Sequence, residues 1–309
     1  MRVLVVPPGG ESLRLDVFVT RSLPASSRRM VRDAIATGAV RVNGRRGRKG
    51  QVVLPGDSVA VPETFGVAST LQANADLCLP VLYEDAELIA VDKPAGMPSH
   101  ALRADETDTA ANFLLARCPE MAAVGTHPLE AGLVHRLDTD TSGVLLAART
   151  AVAHAALRRQ FAVRRVVKEY VAVVQGDVAT PGVVRTPIAH ERHNRRKMRV
   201  CPANTRRTDA RPAYTEYRPL ERLGVQTVLA VRITTGVMHQ IRVHLASIGH
   251  PVVGDALYGG AVPGVGRHLL HASRIAFDHP VSGVPVDVAS PLPAEFTAVL
   301  EALRTQRRA

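Results

Sequence analysis

The chain has 309 residues, 46% of them hydrophobic, which suffices for about two domains and a sizeable core. It carries 39 Lys and Arg against 28 Asp and Glu, a net charge of +11 that favours a polyanionic partner. No apolar run reaches the ~18 residues of a membrane span, the first residues lack a secretory signal, and Cys78, Cys118 and Cys201 form no CxxC. Membrane insertion, secretion, a disulfide scaffold and a zinc site are therefore set aside, and the cytoplasm is the expected location.

Residues 13–62 read as a first, small unit. Leu15, Phe18, Val19 and Leu23 make a helical stripe, which Pro24 and Ala25 end. Ser26 or Ser27 then caps a second helix whose apolar face is Val31, Ala34 and Ile35, with Gly38 as its stop. Arg28, Arg29 and Arg32 project from its other sides. Val40 to Val42 form a strand closed by Asn43-Gly44, a hairpin signal, and Arg45, Arg46, Arg48 and Lys49 follow at once. Pro55-Gly56-Asp57 is a turn, and Val59 and Val61 alternate into a closing strand. A charge run is usually a solvated face. Here two basic groups separate in sequence fall on adjoining elements of one small fold, a surface suited to tracking the phosphates of RNA or DNA.

Residues 63–80, with Gly66, Ser69 and Pro80 as punctuation, read as a linker. Residues 81–309 read as one larger domain. Leu88 to Val91 is a strand running into Lys93-Pro94-Ala95-Gly96, and Val144 to Ala147 is a buried strand. Thr150 caps a helix with Ala153, Ala156, Leu157 and Phe161 on its apolar face. Tyr170 to Val174 is a strand, and Val225, Leu229, Val231 and Ile233 alternate into another. The elements do not follow a regular βαβ order, so the expected class is α+β with a mixed, mainly antiparallel sheet. Between these strands, His190 to Arg211 carries Arg192, Arg195, Arg196, Lys197, Arg199, Arg206, Arg207 and Arg211 against Glu191 and Asp209. It is too polar for core and reads as an RNA-contacting insertion; a mobile solvated loop is the plainer reading, and both can hold.

The stretch Gly132 to Gly143, GLVHRLDTDTSG, places two acids, an Arg and two hydroxyl types in a loop before an apolar strand. Convergent polar groups on loops are where sites concentrate. Asp138 lies two residues from Arg136, and a carboxylate near Arg stays ionised well below neutral pH. Such a carboxylate can attack carbon, abstract a proton or stabilise a cation. An Asp beside Thr-Ser-Gly is more often an ordinary turn. No G-x-S-x-G elbow supports a serine hydrolase, and HQIRVH at 239–244 lacks the H-E-x-x-H metal spacing, so no metal is expected.

HRLDTDTSG, His135 to Gly143, resembles the signature loop of the RluA-type pseudouridine synthases at every fixed position. Asp92 to Gly96, Lys168-Glu169-Tyr170, His239 to Leu245, Gly249-His250-Pro251, Gly254-Asp255, Tyr258-Gly259 and Leu270-His271-Ala272 continue the pattern in order. The likeness spans about residues 81–297. The first unit, through Arg41 to Gly44 and Pro55 to Asp57, separately resembles the S-four RNA-binding domain.

The resemblance implies a pseudouridine synthase fold and a cofactor-free isomerisation. A uridine leaves its RNA stack, its N-glycosidic bond breaks, the uracil turns, and carbon 5 rejoins the ribose. By the same resemblance Asp138 is the essential carboxylate, acting on the anomeric carbon or on the 2′ hydrogen. Arg242 is expected to pair with Asp138 and hold it oriented. Tyr170 is expected to pack on the extruded base and assist with the final proton, against its plain reading as a core aromatic. Arg136 is expected to fill the space the base leaves or to contact phosphate. Arg28, Arg29, Arg32, Arg45, Arg46, Arg195, Arg196 and Lys197 are the RNA-contacting candidates. The implied partner is large-subunit ribosomal RNA or its precursor, with transfer RNA as the alternative substrate. No obligatory protein partner is implied and a monomer is expected. One departure stands out: Val237-Met238 replace the Arg-Thr type of sequence usual before His-Gln, which bears on RNA contacts or on the support around Arg242. A non-catalytic RNA-binding or ribosome-assembly factor is the rival reading; an aminoacyl-tRNA synthetase is opposed by the lack of a nucleotide-binding signature.

Overall fold

A computed structural model describes residues 1–308 apart from 24, 25, 27, 64, 66–69, 195 and 203. Pro24, Ala25, Ser27, Gly66, Ser69 and Arg195, each singled out above, lie outside the described residues. The chain divides into two compact units, Met1–Thr70 and Leu71–Ala309.

The first unit contains β1 (Arg2–Val5), β2 (Leu13–Arg14), α1 (Leu15–Ser22), α2 (Arg28–Thr37), β3 (Arg41–Val42), β4 (Arg45–Arg46), β5 (Val52–Val53) and β6 (Ser58–Val61). Its antiparallel sheet has the order β1-β6-β3-β4, and β2 pairs with β5. Leu15, Phe18 and Val19 of α1 and Val31 and Ile35 of α2 bury their stripes against Val42, Val59 and Val61. The β3–β4 turn has φ of 49° at Asn43 and 76° at Gly44. Both residues are left-handed, the geometry whose twist matches the flanking strands and which Asn-Gly adopts at least cost. The Asn43 amide also donates to Asp57 at 2.7 Å, tying the hairpin to the turn before β6. Strand β1 is not evident in the sequence, because only Leu4 of its four residues is even partly buried.

The second unit contains β7 (Val81–Glu84), β8 (Leu88–Lys93), α3 (Ala110–Arg117), a 3-10 turn (Pro119–Ala123), β9 (Ser142–Ala148), α4 (Ala151–Ala162), β10 (Val167–Gln175), β11 (Gly182–Val184), β12 (Ile188–His190), β13 (Met198–Val200), β14 (Thr215–Arg222), β15 (Gln226–Ile233), α5 (Gln240–Ser247), β16 (Leu270–Asp278), β17 (Pro285–Ala289) and α6 (Ala294–Arg308). The main sheet runs β11-β14-β15-β10-β16-β9-β8-β7, with β17 also on β16. Among the described residues only the β9–β16 pairing is parallel, so the class is the mixed, mainly antiparallel α+β expected. Among the described residues no helix is long and apolar enough to cross a membrane.

Strand β9 is buried throughout. Leu145 and Ala147 face one core, with Ile89, Val91, Leu114 of α3 and Ile241 and Leu245 of α5. Val144, Leu146 and Ala148 face the other, with Ala153 and Leu157 of α4. Successive strand residues point to opposite faces, so a run of apolar residues marks a strand covered on both. Thr150 caps α4 by accepting the Ala153 N–H at 3.2 Å. Two expectations are corrected. Val225 is not in the strand with Leu229, Val231 and Ile233; it sits in the β14–β15 turn and is 71% exposed. The basic stretch 190–211 is not all surface loop, since β13 pairs with β12 and Met198 and Cys201 are buried.

Gly143 fixes where β9 meets β16. Its φ is 112°, and a Cβ there would lie 2.2 Å from the Ala272 carbonyl oxygen. Gly143→Ala is expected to cost on the order of 3 kcal/mol, since strain and a backbone clash act together. Denaturant unfolding would check it; an unchanged midpoint would show that β16 can shift.

Candidate active site

The loop that carries Asp138 is pinned on both sides of that residue. Before it, the Leu137 N–H donates to Ser99 Oγ at 3.0 Å, and the Ser99 hydroxyl donates to the Leu137 carbonyl at 2.8 Å. After it, the Thr139 carbonyl accepts from Lys93 Nζ at 3.0 Å and from the Gly96 N–H at 3.0 Å. Lys93 is fully buried at the end of β8, and its ammonium also donates to the carbonyls of Pro94 and Met97. Three carbonyls take its three protons, although burial pushes its pKa down to about 7 against the pull of Asp140 and Asp138. His135 holds the loop's start: Nε2 accepts the Leu146 N–H at 2.9 Å and the ring stacks on Phe161. Burial drives its pKa down to about 3, so it serves as a neutral acceptor. Thr141 bonds His268 Nε2 at 2.8 Å and Ser142 bonds His271 Nδ1 at 3.0 Å, which assigns both hydroxyls to shaping the loop.

Asp138 is thereby presented to a cleft of about 540 Å³ whose walls include Arg136, Lys168, Tyr170, His239 and Arg242. Arg242, on the first turn of α5 and almost fully buried, donates from Nη1 to Asp138 Oδ2 at 2.9 Å. Its other edge forks Asp255, Nε to Oδ2 at 2.7 Å and Nη2 to Oδ1 at 3.0 Å. Burial opposes the guanidinium's charge, but the hydrogen bonds and charge of Asp255, and then Asp138, outweigh it and raise the pKa. The fork fixes the plane of the guanidinium and so the direction of Nη1. Among the described residues, Asp138 Oδ1 accepts no hydrogen bond, and the side chain is 24% exposed.

Tyr170 lies in β10, opposite Val231, where the pairing with β16 is bulged between Glu169 and Val171. It is buried yet lines the cleft, and burial together with the Asp138 charge raises its phenol pKa. At neutral pH it is a protonated aromatic surface. Lys168 also reaches the cleft, donating to the Thr235 carbonyl at 2.8 Å. Arg136 is exposed at the rim.

The departure at Val237-Met238 places two half-buried apolar residues in the cleft wall, packed with Ile188, Met198, Ala213 and Val243. The support of Arg242 comes instead from Asp255. Among the described residues no group of three or more His, Cys, Asp or Glu could hold a metal ion.

Of the basic candidates, Arg28, Arg29 and Arg32 are exposed on α2, with Arg29 Nε 3.8 Å from Asp33. Arg45 is exposed. Arg46 is committed in part to structure, since Nη2 donates to the Ala36 carbonyl at 2.5 Å and closes the end of α2. That bond brings hairpin and helix together around a groove lined by Ala36, Arg45, Arg46, Arg48 and Lys49. In the second unit Arg196 is exposed, whereas Lys197 is half-buried with Nζ 5.5 Å from the centre of the Tyr258 ring.

Asp255, Tyr258, His239 and Lys93 lie in segments that carry the resemblance, but the sequence reading assigns them no place in the site. The signal available is a rule: an Arg buried in a helix needs anionic partners, and Asp138 alone would leave its Nε and Nη2 edge unsatisfied.

Comparison with known proteins bears on this site. The profile of the family described as RNA pseudouridylate synthase matches residues 87–247, and that of the S4 domain matches residues 13–59. The chain is 38% identical to the "Ribosomal large subunit pseudouridine synthase D" of Xanthomonas campestris pv. campestris, over 98% of this chain and 93% of that one. It is 39% identical to an "Uncharacterized RNA pseudouridine synthase" of Chloroflexus aurantiacus, over 98% and 94%. Among solved structures, "Human RNA Pseudouridylate Synthase Domain Containing 4" superposes with a TM-score of 0.58 at 25% identity, covering 73% of this chain and 93% of that one.

Proposed function

The chain belongs to the RNA pseudouridylate synthase family and is an RNA pseudouridine synthase, an isomerase; from that premise we propose that it acts on large-subunit ribosomal RNA, with Asp138 as the carboxylate that works on the target nucleotide. The substrate reading is supported by the ribosomal large-subunit name of relatives similar to nearly the whole chain. The observation that carries the site reading is Asp138 in the cleft wall, its Oδ2 held by a guanidinium that is itself locked by Asp255 and its Oδ1 without a hydrogen bond among the described residues. A carboxylate so oriented meets the sugar of an extruded uridine without having to reorganise. Tyr170 offers the base a flat, neutral packing surface. Arg136 stands at the rim, where the emptied stack or a phosphate would lie. The reading includes a cytoplasmic monomer, because the RNA itself supplies the large partner surface.

The test is pseudouridine mapping of ribosomal and transfer RNA from cells with and without the gene. Sites lost from large-subunit rRNA should return with the wild-type gene and not with Asp138→Asn. Sites lost from transfer RNA instead would overturn the substrate.

The basic face of the first unit is proposed to follow the RNA backbone. Changing Arg28, Arg29 and Arg32 together to Ala should then reduce the slope of log affinity against log salt by about 2, at ~0.7–0.9 for each phosphate no longer neutralised. An unchanged slope in a filter-binding titration would mean that α2 does not face RNA.

A further inference from the structure

His239 is the residue just before α5, and its φ of 55° lies in the left-handed region, uncommon for residues other than Gly. Its side chain does not cap the helix it precedes. The imidazole turns into the cleft, with Nε2 3.9 Å from Asp138 Oδ2, too far for a hydrogen bond. Its other nitrogen is fixed: Nδ1 lies 3.0 Å from the Tyr258 hydroxyl, whose oxygen already accepts the Met198 N–H at 2.8 Å. The arrangement that gives every one of these groups a partner has the hydroxyl donating to Nδ1 and the ring proton on Nε2. The reverse tautomer would aim a bare nitrogen lone pair at a carboxylate. Among the described residues the Nε2–H has no hydrogen-bond partner, although the side chain is only 15% exposed. Burial keeps the ring below its ordinary pKa against the pull of Asp138, which favours this neutral, single-donor form.

An N–H without a protein partner among the described residues, on a side chain only 15% exposed that lines the cleft beside Asp138, is a donor placed for substrate. We propose that His239 Nε2–H donates to the uracil carbonyl flanking the glycosidic bond; this rests on the reading that the cleft receives the target uridine. When that bond breaks, its electron pair leaves with N1, and negative charge spreads onto O2. A fixed donor at O2 stabilises that charge as it develops. The uracil then turns about its N3–C6 axis, which puts C5 where N1 was and O4 where O2 was. The same N–H now meets O4 while the electron pair at C5 forms the C–C bond to the sugar that replaces the broken C–N bond; the C5 proton is lost afterwards to solvent or a base, and N1 takes up a proton from solvent, leaving the base neutral. One donor thus serves both halves of the isomerisation, and atoms and charge balance at each stage.

The test compares full-length wild type, His239→Ala and His239→Gln by tritium release from C5-labelled uridine in a large-subunit rRNA transcript. RNA affinity is measured on the same proteins. The Ala variant should lose ~100-fold in kcat, the effect of removing one donor to a developing anion, with KM changed less than about threefold. The Gln variant, whose amide N–H reaches the same place, should recover at least about tenfold of that loss. Wild-type kcat in the Ala variant, a Gln variant no better than Ala, or a loss confined to KM would each overturn the assignment. Activity absent on this transcript, with mapped sites in another RNA, would overturn the substrate reading alone, and the three proteins are then compared on that RNA.

Discussion

Asp138→Asn is expected to lower kcat by at least about 10⁴-fold, the scale on which an enzyme loses a group that bonds or exchanges protons with its substrate. The amide has nearly the shape of the carboxylate, and its oxygen can still accept from Arg242 Nη1 in place of Oδ2. The loop stays pinned by Ser99 and Lys93 on either side. What goes is the negative charge and, on the proposed reading, the oxygen that works on the nucleotide. RNA affinity should stay within about threefold, since the basic surfaces that neutralise phosphate are untouched. Tritium release and filter binding on the same preparation separate the two quantities. Residual kcat within tenfold of wild type would remove Asp138 from the chemistry; a large affinity loss would make it a binding residue.

Substituting Asp255 should have the next largest effect, although this carboxylate is 1% exposed and does not line the cleft. It accepts both Nε and Nη2 of Arg242, and its Oδ1 also accepts the N–H groups of Leu257 and Tyr258. Asp255→Ala would leave a buried guanidinium with its Nε and Nη2 edge unsatisfied, at a cost of about 3–5 kcal/mol in stability. Asp255→Asn is the sharper probe. Its amide has one acceptor oxygen, and its NH₂ group would confront an Arg N–H, so the fork cannot form. Arg242 then swings, and Asp138 loses the direction of its partner. We expect a ~100-fold fall in kcat with KM little changed, since misplacement of a reacting group by about 1 Å can cost that much. Chemical denaturation and steady-state kinetics on one sample tell the outcomes apart. If Asp255→Asn loses stability yet turns over at the wild-type rate when folded, Asp255 holds the fold and not the chemistry. Arg242→Lys should resemble it, because a point charge cannot serve a bidentate partner and Asp138 together.

Much of the molecule follows from local patterns. The stripe Leu15, Phe18, Val19 became α1, and the Asn43-Gly44 dipeptide became a turn with both residues left-handed. The apolar run after Gly143 became a strand covered on both faces. In each case backbone preference and one-sided burial repeat within a few residues, so neighbours in sequence carry the information. The same logic misplaces Val225, because alternation is counted identically whether a valine closes a strand or starts the turn before it. It overlooks β1, whose exposed residues show no buried face, and α3, which is buried on nearly every side and so shows no polar face to set its period. Charge alone marks 190–211 as surface and does not reveal that Met198 and Cys201 anchor it.

The site divides along the same line. Asp138, Tyr170 and Arg242 stand out from segments similar to a known family, each short and contiguous. Asp255, Tyr258 and His239 lie in such segments too, but their part in the site comes only from the fold. Arg242 meets a carboxylate 104 residues earlier and another 13 residues later because β9, β10 and β16 became adjacent and brought their end loops to one cleft. A buried guanidinium must have its charge and its N–H groups satisfied, but the sequence states only the requirement. Which carboxylates satisfy it is decided by strand order, and strand order is a property of the assembled sheet rather than of any window along the chain.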